Sequence, residues 1–178
     1  MEINHNKKSV AEWKKLVAEF QQPNLRRAVW QIVNTLGSVL LIWIALYFTM
    51  NISWWLTLGL SILCGLFLVR VFIIFHDCGH GSFFKSKKAN DILGFITGML
   101  TFTPYHHWKW EHAMHHATNG DLDRRGIGDI WTLTVREYLT SSRMTRFNYR
   151  LVRNPFILFA FAPLFLFMVL ERLYFAQY

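Results

Sequence analysis

Two long apolar runs separated by only three residues set the first limit on the fold. Ala28 to Met50 and Trp54 to Phe75 are almost entirely apolar, and only Asn51-Ile52-Ser53 lies between them. At ~1.5 Å per residue, each run as a helix crosses a hydrocarbon core of about 30 Å. Lipid offers no partners to backbone N–H and C=O groups, so a spanning segment must satisfy them internally, and an apolar run of this length does so as a helix. The pair therefore predicts a transmembrane hairpin spanning 28–75. Arg26 and Arg27 flank its entry, and Trp54-Trp55 stand at the far interface. The expected fold class is all-α, built of integral membrane helices.

Charge sets the orientation. The outer turn carries no charge, while both inner flanks are rich in Lys and Arg; Lys85, Lys87 and Lys88 follow the second run. The positive-inside rule then places the N-terminus and His76 in the cytoplasm of a multi-pass protein of the cell (inner) membrane. Arg70 lies near the inner end of the second run, seven residues before Asp77 and on the same face, where pairing is an option. A net charge of +8 is compatible with a nucleic-acid partner in a polar chain. Here the apolar runs, and 16 Phe and 8 Trp crowded toward their ends, direct that charge to a membrane surface, and no nucleic acid is expected. Cys64 and Cys78 lie in or beside an apolar run, so no disulfide framework is implied. The first ~25 residues are polar and lack the apolar core of a signal peptide. Ser9 and Glu12 have capping-box spacing, and Val10, Trp13, Leu16, Val17 and Phe20 share one face, so 1–24 reads as an amphipathic cytoplasmic segment.

Two histidine groups sit at the water-side margins of this greasy frame. His76 and His80 are four residues apart; His112, His115 and His116 are three and four apart. On helices, each group shares one face. Neutral imidazole is a good ligand for zinc, iron, copper or nickel, so a metal centre is expected, with the metal left open by the residues alone. Asp77, Asp121, Asp123 and Asp129 are candidates to accept imidazole N–H bonds and fix ring orientation. His106 and His107 read as interface residues, since Pro104 separates them and no partner spacing is apparent.

The run between the groups, Ile92 to Phe102, is short for a crossing. If it crossed, the two histidine groups would lie on opposite sides of the bilayer. It is therefore expected to be a re-entrant or in-plane helix, with Gly94 and Gly98 allowing close packing. After the second group comes a polar, turn-rich loop, then Arg143, Arg146, Arg150 and Arg153 in one stripe, suited to anionic headgroups or an acidic redox protein. The region 76–154 is thus expected to be the cytoplasmic metal-site region. Pro155 opens a final apolar run, interrupted by Pro163, so that 155–178 reads as a third span. All of 1–178 is taken as a single partial domain.

Two motifs carry a resemblance. His76-Asp77-Cys78-Gly79-His80-Gly81-Ser82 and His112-Ala113-Met114-His115-His116-Ala117-Thr118 resemble the first and second histidine boxes of membrane fatty-acid desaturases. The stretch Leu122-Asp123-Arg124-Arg125-Gly126 through Asp129 to Val135 is similar to bacterial acyl-lipid desaturases. The resemblance implies two non-haem iron ions as cofactors, held by His76 and His80 from the first box and His112, His115 and His116 from the second. It also implies O2 as co-substrate, the acyl chain of a membrane lipid as substrate, and an external ferredoxin- or flavodoxin-like electron donor. Two hydrogens would leave adjacent carbons to give a double bond. The family's third histidine box is not in this sequence, so the chain is expected to be an N-terminal part, doubtful in activity alone. Two other functions fit the same boxes: a membrane hydroxylase of alkanes or carotenoids, and an inert, truncated metal-binding membrane protein.

Overall fold

Asn24 begins the first long helix by accepting a hydrogen bond from Arg27 N through its side chain, at 3.1 Å. In the computed structural model, which describes residues 10–18, 22–126, 130–165 and 169, the chain divides into two compact units, 1–101 and 102–178. The first contains α1 (Val10–Ala18), α2 (Leu25–Thr49), α3 (Trp54–Gly79) and α4 (Lys87–Leu100). The second contains α5 (Tyr105–Thr118), α6 (Val135–Thr140), α7 (Arg143–Val152), a π-helical turn (Ile157–Phe161) and α8 (Ala162–Phe165). Every regular element among the described residues is helical.

The hairpin of the first unit forms as the sequence requires. α2 and α3 hold 25 and 26 residues, and both are apolar and long enough to cross a membrane. The amides of Ile52 and Ser53 both bond to Thr49 O, at 3.0 and 3.2 Å, and close the turn. Ser53 then caps α3 by accepting from Leu56 N. α2 and α3 pack on each other, and α3 also packs on α4; Ala28, Thr35, Val39 and Ile42 of α2 are buried, as are Cys64, Val71, Ile74, Phe75 and Cys78 of α3. The α2 row advances by seven, four and three residues, a repeat that keeps one stripe facing a partner helix. The remaining faces are apolar too, yet open: only 22% of the most apolar stretch of each helix is buried. A soluble core helix would have most of that surface covered, so these faces belong against lipid. The chain is a membrane protein.

α3 does not stop at Phe75. It runs one turn further, to Gly79, so that the first histidine box is the last turn of the spanning helix. Its end is fixed by Gly81, whose φ of +68° is a left-handed conformation that favours glycine. Gly81 N bonds to Cys78 O at 2.9 Å and Ser82 N to Asp77 O at 3.0 Å, the paired bonds of a Schellman stop. Arg70 does not pair with Asp77 among the described residues; its guanidinium lies over the Phe67 ring, 5.5 Å from the centroid. Seven residues of helix separate Arg70 and Asp77 by about 10 Å along the axis, so a shared face is not a contact.

α4 has 14 residues, about 21 Å, and packs along α3 through Asn90, Gly94, Thr97 and Gly98. Both glycines are buried on that face, as close packing needs. Its opposite side leaves Ile92, Phe95, Ile96 and Met99 exposed. On α1, Trp13, Leu16 and Val17 are exposed. Ser9, Phe20 and the side chain of Val10 lie outside the described residues, and with them the expected capping box.

In the second unit Thr134 and Glu137 form a capping box that starts α6, and Ser142 caps α7 by accepting from Thr145 N at 3.1 Å. The arginine stripe is only half available to partners. Arg150 Nε donates to Tyr138 Oη, while Arg153 donates to Trp131 O at 3.1 Å and to Thr132 Oγ1 at 2.7 Å. These two arginines tie α7 to the segment before it. The other side of α7 exposes Met144, Phe147 and Leu151. Near the end, Ala162 N bonds to Ile157 O and widens the helix into a π turn just before Pro163, which has no N–H to give. The rest of the expected third span, residues 166–168 and 170–178, lies outside the described residues.

Candidate metal centre

The end of α3 presents His76 and its capping residue His80 together. Their rings lie 4.5 Å apart, centroid to centroid, at 65°. His76 Nδ1 is 3.4 Å from Asp77 Oδ1. Cys78, between them, is fully buried in the helix seam, so the turn sorts its side chains: imidazoles outward, thiol inward.

On α5 the second group is gathered by helical spacing alone. His112 Nε2 and His116 Nε2 approach to 3.1 Å, and the rings of His115 lie 6.1 and 5.8 Å from those of His112 and His116. Two imidazole nitrogens bound to one metal at ~2.1 Å stand roughly 3.0–3.4 Å apart, from right-angled to tetrahedral. The His112–His116 spacing fits that window, and the donor set is all neutral nitrogen, suited to a transition metal. Trp108, one turn earlier, stacks on His112 at 4.4 Å and 15° and holds its ring plane.

Two supporting contacts escaped the sequence reading. Trp108 is one. The other is His107, whose Nε2 lies 3.4 Å from Glu111 Oε1, so His107 has a partner on its own helix. The i,i+4 spacing of both pairs was the available signal. His106 is exposed.

Of the four candidate carboxylates, Asp77 meets a histidine. Asp121 is engaged within its loop: Oδ1 accepts from Asp123 N at 3.0 Å and Oδ2 from Arg124 Nε at 2.7 Å. The Arg124 bond, with the backbone bond behind it, holds the Asp121 carboxyl below its usual range. Asp123 is exposed and makes no side-chain hydrogen bond among the described residues. Asp129 lies outside the described residues.

The loop after α5 is anchored by an ion pair between Arg125 and Glu137. That bond, then those from Thr134, lowers the Glu137 carboxyl from 4.5 to about 2. A depressed carboxylate stabilises the fold above its unfolded value and loses that effect as pH falls toward the folded one. The loop–α6 junction should therefore weaken between pH 4.5 and about 2. Thermal melts across that window should show an acid limb, and Glu137→Gln should shrink it; an unchanged limb would assign the acid sensitivity elsewhere.

A hydrophobic hairpin that carries one histidine pair on its terminal turn, together with a helix carrying three more, defines a histidine-box membrane protein. The family model for fatty acid desaturase matches residues 52–178, and the chain belongs to that family. It is 47% identical over 170 residues to a fatty acid desaturase of Bacillus subtilis, an alignment covering 96% of this chain and 47% of that protein. It is 32% identical over 124 residues to an sn-1 oleoyl-lipid 12-desaturase of Synechocystis, covering 70% of this chain and 32% of the relative. An sn-1 acyl-lipid omega-3 desaturase (ferredoxin) of Synechocystis is 31% identical over 115 residues, 62% of this chain and 31% of that one. The chain thus spans about half, or less, of the length of these relatives. No solved structure matches it.

Proposed function

We propose that this chain supplies the first two histidine boxes of an O2-dependent di-iron desaturase acting on acyl chains of membrane lipids. The single observation that carries the reading is the His112–His116 nitrogen spacing of 3.1 Å, on residues that resemble the family's second box and lie within the stretch the family model matches. Bound iron would supply what no side chain has, an oxidant strong enough to take hydrogen from an unactivated methylene. His76, His80, His112, His115 and His116 would hold it, with both groups on the cytoplasmic side. Asp77 would accept from His76 Nδ1 and leave Nε2 for the metal, and Trp108 would keep the His112 ring from turning. The exposed apolar faces of α2 and α3 would keep the protein among its substrates. α4, too short to cross unaided, would lie in-plane or re-enter, which keeps the boxes on one side. The names of the relatives support a lipid-borne acyl chain and a ferredoxin-like donor. Arg143 and Arg146, which have no tyrosine or carbonyl partner among the described residues, suit an acidic carrier.

The test is a chimera in which this chain replaces its matching segment in the Bacillus relative. Gas chromatography of host lipids should show new double bonds, and the purified protein should carry iron. Hydroxylated chains without new double bonds would give the hydroxylase reading; bound zinc with unchanged lipids would give the inert one.

A further inference from the structure

We propose that a cavity at the box end of the hairpin is a binding site for an anionic phospholipid. It lies within the first unit, where α2 begins and the loop after the first box leads into α4, and it encloses about 780 Å³. Its walls are Leu25, Phe83, Phe84 and Ala89, and its charged members are Arg26 and Lys85. None of the described residues that line it is acidic. Asn24 and Ser86, which cap α2 and α4, also line it, so the first turns of two helices add their N–H dipoles to those cations.

Cationic lining beside an apolar wall selects an amphiphile over a simple anion. The apolar wall also continues into the lipid zone. Leu25 is exposed, and one and two turns along α2 so are Val29 and Val33, in a single stripe at four-residue steps. An acyl chain can lie along that stripe while its phosphate sits between Arg26 and Lys85. The hairpin brings the start of α2 and the end of α3 to the same bilayer margin, the depth at which a phosphate is found. A phospholipid held here would brace the Phe83–Lys85 loop that follows His80. The inference does not rest on the iron reading, and its readout is lipid retention, not turnover.

The experiment uses the full chain purified in mild detergent with equal phosphatidylglycerol and phosphatidylcholine, with retained lipid measured by native mass spectrometry. Phosphatidylglycerol should be kept in preference. R26Q/K85Q should lower that preference by about fivefold per charge removed. Both side chains are exposed, so helicity by circular dichroism should not change. R124Q/R136Q, an equal charge loss at exposed positions of the second unit, should leave the preference intact. An unchanged ratio in R26Q/K85Q, or an equal fall in R124Q/R136Q, would overturn the site. Displacement of the lipid by millimolar inorganic phosphate would also overturn it, in favour of a soluble phosphate ligand.

Discussion

His116→Ala, introduced into a chimera of this chain and its Bacillus relative, should remove unsaturated product by at least about 100-fold while leaving membrane insertion intact. Loss of a partner that merely orients a ligand already costs about 10–100-fold, and removal of the ligand itself should cost more. The side chain is exposed, so no packing holds it where it is. Its contacts include the imidazoles of His112, whose Nε2 is 3.1 Å away, and His115. The fold should therefore survive and the metal should not. Iron content by mass spectrometry and acyl profiles by gas chromatography are the paired measurements. His112→Ala and His76→Ala should behave alike. His106→Ala, an exposed imidazole on the same helix, should change neither. Retained product in His116→Ala would remove that residue from the ligand set, and lost product with full iron would make it a substrate contact.

The hairpin was legible because its signal is coarse. Two apolar runs and a three-residue turn leave little choice of fold, and the caps Asn24 and Ser53 stand where the composition changes. The histidine groups were legible for a related reason: spacing of three or four on a helix makes neighbours whatever the tertiary structure. The same rule, applied to aromatic and acidic partners, would have yielded Trp108 with His112 and Glu111 with His107. The apolar run ends at Phe75, but α3 continues through the first histidine box to Gly79. Helices end where backbone bonds end, and here that is at Gly81, past the polar box.

Other features could not be read along one strand of sequence. The arginine stripe looked uniform, but Arg150 and Arg153 reach Tyr138, Trp131 and Thr132, up to 22 residues away. Long-range pairing decides such cases, and a local pattern does not contain it.

The largest stability effect should come from Asn90, which no motif marks. It is buried on α4, and its side chain acts as a short strand of backbone against the loop that follows His80. Oδ1 accepts from Phe84 N at 2.9 Å; Nδ2 donates to Phe84 O at 2.8 Å and to Ser86 O at 3.1 Å. Asn90→Leu would leave the amide and carbonyl of Phe84 without these partners, while Ser86 O keeps its bond from Asn90 N. At ~1–3 kcal/mol for each such group left unmade, a loss of about 2 kcal/mol or more is expected. Asn90→Asp separates hydrogen bonding from simple bulk. It keeps the acceptor for Phe84 N but turns a second oxygen toward two carbonyls. Burial and that repulsion should raise its folded pKa above an unfolded value of ~3.9. A raised value means the variant is closest to wild type below ~pH 4, where the protonated acid donates one bond, and falls behind as pH rises. Glu137 imposes the opposite trend on both proteins, so the comparison must be made against wild type at each pH. Melting temperatures from pH 3 to 8 should then diverge on the alkaline side for Asn90→Asp and stay at a constant offset for Asn90→Leu. Parallel curves for both would mean that shape, not the three hydrogen bonds, fixes the loop behind the first histidine box.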